Sequence, residues 1–168
     1  MERKNAIVLL LVAGAMWSLG GLLIKSIPWH PLAISGMRGG IAAIVIYAFS
    51  KDKNIIITFD KILAACFYTL VVTLFVISNK LTTAGNAILL QYTAPVYVAL
   101  FGYMFLGEKS TFIDWITILI LLGGLTLFFL DDLSFDGYLG NTFAILSGMS
   151  FAALTITLRK QKDNNPSD

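Results

Sequence analysis

Long apolar stretches alternate with short polar connectors along this chain. A helix that crosses the roughly 30 Å hydrocarbon core of a bilayer needs about 20 predominantly apolar residues. Six stretches meet this requirement when charged residues, proline and glycine set their ends. They cover about residues 6–27, 31–49, 62–80, 86–106, 112–130 and 138–158. The pattern predicts an all-α integral membrane protein with six transmembrane helices.

The first apolar run has a second interpretation. Arg3 and Lys4 precede an apolar core at residues 7–12 and small residues at 13–15, as in a secretory signal peptide with its cleavage site. The apolar stretch continues to Ile27, however, and a cleaved signal does not need this length whereas a membrane span does. We therefore favour a span.

Composition supports membrane insertion. The chain is 57% hydrophobic and 13% charged, whereas soluble domains average about 25% charged residues. A soluble globule and a disordered chain are therefore excluded. The net charge of +2 is too small to indicate a nucleic-acid partner, and the single cysteine, Cys66, lies in an apolar run where it is expected to pack.

The basic residues predict the orientation, because lysine and arginine concentrate in cytoplasmic segments of membrane proteins. The connectors opposite the N-terminus hold only Lys80, with Lys25 near a helix end. The segments on the side of the N-terminus hold Arg3, Lys4, Lys51, Lys53, Lys61, Lys109, Arg159, Lys160 and Lys162. Both termini are therefore predicted to lie in the cytoplasm, with the protein in the plasma membrane.

The sixth run resembles the first. A shift that aligns Trp17 with Phe151 also aligns Lys25 with Arg159. Five predicted crossings separate the two runs, so the second copy enters the membrane from the opposite side. Such inverted repeats are typical of secondary transporters. Chance similarity between two apolar helices is the alternative.

Five side chains inside the apolar runs are the candidates for solute binding: Trp17, Arg38, Asn79, Gln91 and Tyr92. Arg38 would be a counter-charge, because a charge about two turns into a membrane helix must face protein, water or ligand. Asn79 and Gln91 would form hydrogen bonds to the solute, and Trp17 and Tyr92 would form walls. The alternative is that the polar groups only bond neighbouring helices.

Two features predict close helix packing. Pro95 leaves the Gln91 carbonyl without its usual amide donor and kinks the fourth run, which creates either a ligand-binding break or a packing kink. The sixth run carries small residues at four-residue spacing, which let another helix approach closely; they are Gly140, Ala144, Gly148 and Ala152. Their partner is expected to lie outside this chain.

Several residue patterns that indicate proton transport, metal binding or catalysis are absent from the sequence. No acidic residue lies near the centre of an apolar run, so a proton-carrying membrane carboxylate is not predicted, and Lys25 and Arg38 favour an anionic or zwitterionic solute. There is no metal-ligand cluster, nucleophile motif or phosphate loop. We therefore predict no metal, no cofactor and no enzymatic activity.

Four segments spread over nearly the whole chain match a known pattern. They are residues 17–25, Pro31 with Arg38, residues 83–95, and residues 106–109 with the sequence Leu-Gly-Glu-Lys. In their order and spacing, the chain resembles the EamA-type members of the drug/metabolite transporter superfamily.

The resemblance implies a ten-helix carrier of two inverted five-helix repeats around a cavity, which moves amino acids, other metabolites or drugs. Residues 1–130 would form the first repeat, and residues 131–168 the first helix of an incomplete second repeat with a polar tail. The cavity would be lined by the first four helices of each repeat, near the five candidate residues. Glu108 would close a helix end in a structural role.

The sequence therefore predicts a secondary transporter of small polar metabolites, as a partial or half-length chain that works by alternating access. Its partners would be a small-molecule solute, the lipid bilayer, and either a second copy or a missing second repeat. The alternative is a non-transporting membrane subunit or inactive truncation that packs against another protein through the small-residue stripe of the sixth run.

Overall fold

The computed structural model describes residues 3–50, 57–107, 109–130, 133 and 136–164. The secondary structure elements in these ranges are all α-helices, which confirms the predicted all-α class for the described residues. The helices are α1 (Arg3–Ser26), α2 (Pro31–Phe49), α3 (Phe59–Leu81), α4 (Ala84–Gln91), α5 (Ala94–Leu106), α6 (Phe112–Phe128) and α7 (Tyr138–Asn164).

Local chemistry sets several helix ends. Thr58, Thr83 and Thr111 each precede a helix in extended backbone conformation and accept a hydrogen bond from the amide three residues later. At α6 the Asp114 carboxylate also accepts from the Thr111 amide, which completes a capping box. Gly107 ends α5 with a φ of 71°, a left-handed conformation that glycine adopts without steric cost.

The helix of the fourth apolar run is broken, whereas the sequence predicts only a kink. Its first part, α4, ends at Gln91, and α5 begins at Ala94. Pro95 lies in the first turn of α5, where its missing amide costs no helical hydrogen bond. The fourth span is therefore built from two helices end to end.

Among the described residues, four helical segments are long and apolar enough to cross a membrane. They are Pro31–Phe49, Phe59–Leu81, Ala84–Leu106 (α4 and α5 together) and Tyr138–Gln161. The fifth run forms a shorter apolar helix, Phe112–Leu127. In α1 several side chains, including that of Trp17, lie outside the described residues. The count of six crossings and the inverted repeat stay predictions.

Helix α3 occupies the centre of the bundle and α7 runs along it. Besides α3, α7 packs against α4 and α5, whereas α1 and α2 pack mainly on α3. Ile24, Ile34 and Val76 form a buried cluster where α1 ends and α2 begins. Asn141, near the start of α7, is hydrogen-bonded to Thr82 at this same end of α3. Consequently α1 and α7 run in opposite directions along α3.

Candidate functional site

An open groove of about 470 Å³ lies between α2 and α3. The α2 wall consists mostly of small residues, and a Cβ added to Gly36, Gly39 or Gly40 would meet nothing within 4 Å. The α3 wall carries larger and more polar side chains, among them Tyr68 and Thr73. The groove exists because the small residues of α2 leave the space in front of α3 unfilled.

Arg38 lines this groove and is exposed. It lies seven residues into α2, which is about 10 Å along the helix axis. No hydrogen-bond or ion-pair partner of Arg38 occurs among the described residues, and none of the residues that line the groove is acidic. Among the described residues, the structure therefore places a guanidinium without a counter-charge in a groove between two apolar helices.

Hydroxyl-bearing residues line the same groove as Arg38. Ser35 precedes Arg38 by three residues on α2, and its Oγ is buried without a hydrogen-bond partner among the described residues. Thr69 Oγ1, by contrast, donates to the Ala65 carbonyl oxygen at 2.8 Å. Sequence analysis singled out Arg38 but missed Ser35, which the spacing of three residues on one helix face would have indicated.

Asn79 lies outside the groove, although its helix also forms the α3 wall. It is fully buried, and its Nδ2 donates to the Phe75 carbonyl oxygen at 3.3 Å. Its Oδ1 has no partner among the described residues and faces α1, where a Cβ on Gly21 would lie 3.9 Å away. The structure thus places Asn79 in the contact between α1 and α3.

Gln91 is engaged in helix packing. Its Nε2 donates to Ser147 Oγ at 2.8 Å, and Ser147 Oγ donates to the Val71 carbonyl oxygen at 2.9 Å. The backbone of α7 also covers the Gln91 carbonyl, since a Cβ added to Gly148 would lie 2.9 Å from its oxygen. Of the two interpretations of the proline break, this geometry favours the packing kink.

The other two candidates are not brought to the groove by described contacts. Tyr92, at the end of α4, is 42% exposed and is absent from the groove lining. Trp17 lies on α1, and its side chain is outside the described residues. The five predicted residues therefore do not form one described site, and only Arg38 lines the groove.

The small-residue stripe of α7 has its partner within this chain. A Cβ on Gly140 would lie 2.8 Å from Thr82 backbone and side-chain atoms, and Gly148 approaches Leu90 and Gln91. Ala144 and Ala152 are buried as well. The stripe through which a non-transporting subunit would pack against another protein is thus covered by the ends of α3 and α4.

Comparison with known proteins identifies a family for this chain. No curated protein and no solved structure matches the chain. The EamA-like transporter family, a family of transporters and not of enzymes, matches residues 4–130. This match covers most of the chain and includes both walls of the groove. The chain therefore belongs to the EamA-like transporter family.

Proposed function

We propose that this protein is a secondary transporter of small polar metabolites, with amino acids and related solutes favoured, in the cytoplasmic membrane. The observation that carries the proposal is Arg38, an unpaired guanidinium in the groove between two apolar helices of a transporter-family chain. A charge in a membrane segment is costly unless it serves a pathway or a ligand.

Alternating access is supported by helix direction. Secondary transporters of inverted-repeat type place their site between two oppositely oriented halves. Here α1 and α7, the two helices that resemble each other, run in opposite directions along α3. In this proposal α7 is the first helix of the second half, and further helices, from a second repeat or a second copy, close the open groove.

The deciding experiment is solute uptake and counterflow in proteoliposomes that contain the 168-residue chain. The vesicles are screened with labelled amino acids, other small metabolites and drugs. We expect saturable uptake of one solute class. Folded and inserted protein without uptake of any solute would contradict transport by this chain.

Substitutions test the five candidate residues. Trp17, Arg38, Asn79, Gln91 and Tyr92 are each replaced by alanine, and we expect Arg38→Ala to reduce uptake about tenfold or more, because it removes a charge-assisted bond to the solute. Lys160→Gln, which removes an exposed charge at the far end of α7, is the matched control. Unchanged transport in all five variants would contradict the site assignment.

The alternative of a non-transporting packing subunit receives no support from the described packing. That alternative depends on the stripe from Gly140 to Ala152 as a surface for another protein. The stripe is instead in contact with the end of α3, Thr82 and the end of α4.

A further inference from the structure

We propose that the groove between α2 and α3 binds the carboxylate group of a solute, with Arg38 as the counter-charge and Ser35 as a hydroxyl donor. The proposal rests on the proposed function, since it names the chemical class of the transported solute. It concerns binding alone, however, and is tested without transport.

The charge of the groove selects an anion. Arg38 is the one charged residue among those that line it. A ligand with only a positive charge would be repelled by Arg38, and no acidic residue among the described residues of the lining would offset this repulsion. A carboxylate, by contrast, accepts two parallel hydrogen bonds from a guanidinium. A single arginine matches the single charge of a monocarboxylate better than a phosphate, which carries about −1.5 to −2 at neutral pH.

The hydroxyl groups of the groove are not equivalent. Thr69 Oγ1 is already bonded to the Ala65 carbonyl oxygen, whereas Ser35 Oγ is buried and has no partner among the described residues. A buried hydroxyl without a partner is unfavourable, and rotation of the Ser35 side chain toward the groove that it lines would let a ligand oxygen supply one. Ser35 and Arg38 are three residues apart on α2, so both point toward one face.

The opposite wall fits the remainder of such a solute. Tyr68 lines the groove from α3 and is 51% exposed. Its ring offers apolar surface to the body of a solute whose carboxylate lies at α2. The groove volume of about 470 Å³ falls in the range of small-molecule sites, which is about 300–1,000 Å³.

The experiment measures binding of radiolabelled benzoate to the full chain in lipid nanodiscs. Benzamide, a neutral molecule of the same shape, and inorganic phosphate are the competitors. We expect saturable benzoate binding that benzamide and phosphate displace at least about tenfold less well than unlabelled benzoate. Absence of saturable binding, equal competition by benzamide, or stronger competition by phosphate would overturn the proposal.

Variants locate the binding. Arg38→Gln is expected to weaken benzoate binding about tenfold or more, Arg38→Lys to weaken it less, and Lys160→Gln to leave it unchanged. Wild-type affinity in Arg38→Gln overturns the proposal. Helical content and elution as a single species verify that each variant is folded.

Ser35→Ala provides an independent test if Arg38→Gln does not fold. Because the Ser35 hydroxyl has no partner among the described residues, its removal should leave the thermal midpoint unchanged or raised, and should weaken benzoate binding severalfold. A lowered midpoint without weaker binding would show a structural hydroxyl and overturn its assigned role.

The experiments can contradict the binding proposal and the transport proposal independently of each other. Benzoate binding that depends on Arg38, without uptake of any solute, would support the groove assignment and contradict transport. Saturable uptake in vesicles without Arg38-dependent binding of benzoate would do the reverse.

Discussion

Serine residues in this bundle illustrate how the same side chain serves two purposes. Ser147 Oγ is fully buried and joins three helices, since it accepts from Gln91 Nε2 and donates to the Val71 carbonyl oxygen. Ser35 Oγ is buried without any such partner among the described residues. The first arrangement stabilises packing, and the second leaves a buried hydroxyl without a hydrogen bond among the described residues.

We predict that Ser147→Ala destabilises the protein by about 1–2 kcal/mol, because two interhelical hydrogen bonds are lost and the Gln91 amide is left buried. Ser150→Ala, on the same helix, removes only a local bond to the Leu146 carbonyl oxygen and is the control. Thermal unfolding in detergent compares the two. Equal midpoints for both variants would contradict a packing role for Ser147.

At the residue scale, the sequence indicates features that depend on local physics. Arg38 stands out because a charge inside an apolar run is costly wherever the helix lies, and its role in solute binding stays a prediction. The partner of Gln91 was not predicted, because Ser147 lies on α7, and the sequence does not indicate which helix passes beside α4. An amide inside a membrane helix looks the same in sequence whether it meets a solute or a serine on another helix.

At the scale of elements, α7 is held in place by close approach of backbones. Gly140 lies against Leu81 and Thr82, and Gly148 against Leu90 and Gln91. Four hydrogen bonds accompany these approaches, two to Asn141 Oδ1 and two at Ser147 Oγ. Small residues and buried hydrogen bonds together are the usual means of helix association in membranes.

Gly148→Ala is expected to destabilise the docking of α7 by about 1–3 kcal/mol, since the new Cβ would lie 2.9 Å from a carbonyl oxygen. Gly124→Ala on α6 is the matched control, because a Cβ there meets nothing within 4 Å. Midpoints of thermal unfolding measure the difference. A loss of stability as large in Gly124→Ala would show that helix glycines matter here for reasons other than packing.

Most helix boundaries were predictable, and the helix neighbours were not. Proline at α2, threonine caps and the glycine after α5 act within one turn, so the sequence indicates them directly. The break at Gln91 to Ala94 was predicted only as a kink, because Pro95 alone does not determine how far the backbone departs from the helix. The position of α7 between α3 and α4 depends on contacts far apart in sequence.

At the scale of the whole molecule, the exposed surface is strongly apolar. Ile44, Phe49 and Phe112 are each more than two-thirds exposed, whereas the fully buried side chains include Ser78, Asn79 and Ser147. A soluble protein would reverse this distribution. An apolar surface around buried polar side chains agrees with a bilayer as the surrounding solvent.

Lys80 is a basic residue on the predicted outer side of the membrane, where lysine is unfavourable to the predicted orientation. The structure shows a packing role for it, since its Nζ donates to the Ile27 carbonyl oxygen at the end of α1. It therefore ties α1 to α3. The remaining bias of lysine and arginine still predicts that both termini are cytoplasmic.

Labelling of single cysteines tests this orientation. In a Cys66→Ser background, Trp29→Cys lies between α1 and α2 and Ile57→Cys lies before α3; both native residues are exposed. In right-side-out vesicles, a membrane-impermeant maleimide is expected to label Trp29→Cys at once and Ile57→Cys only after permeabilisation. The opposite pattern would reverse the topology. Labelling of both without permeabilisation would show two orientations, and would favour an oppositely oriented second copy as the partner in an inverted arrangement.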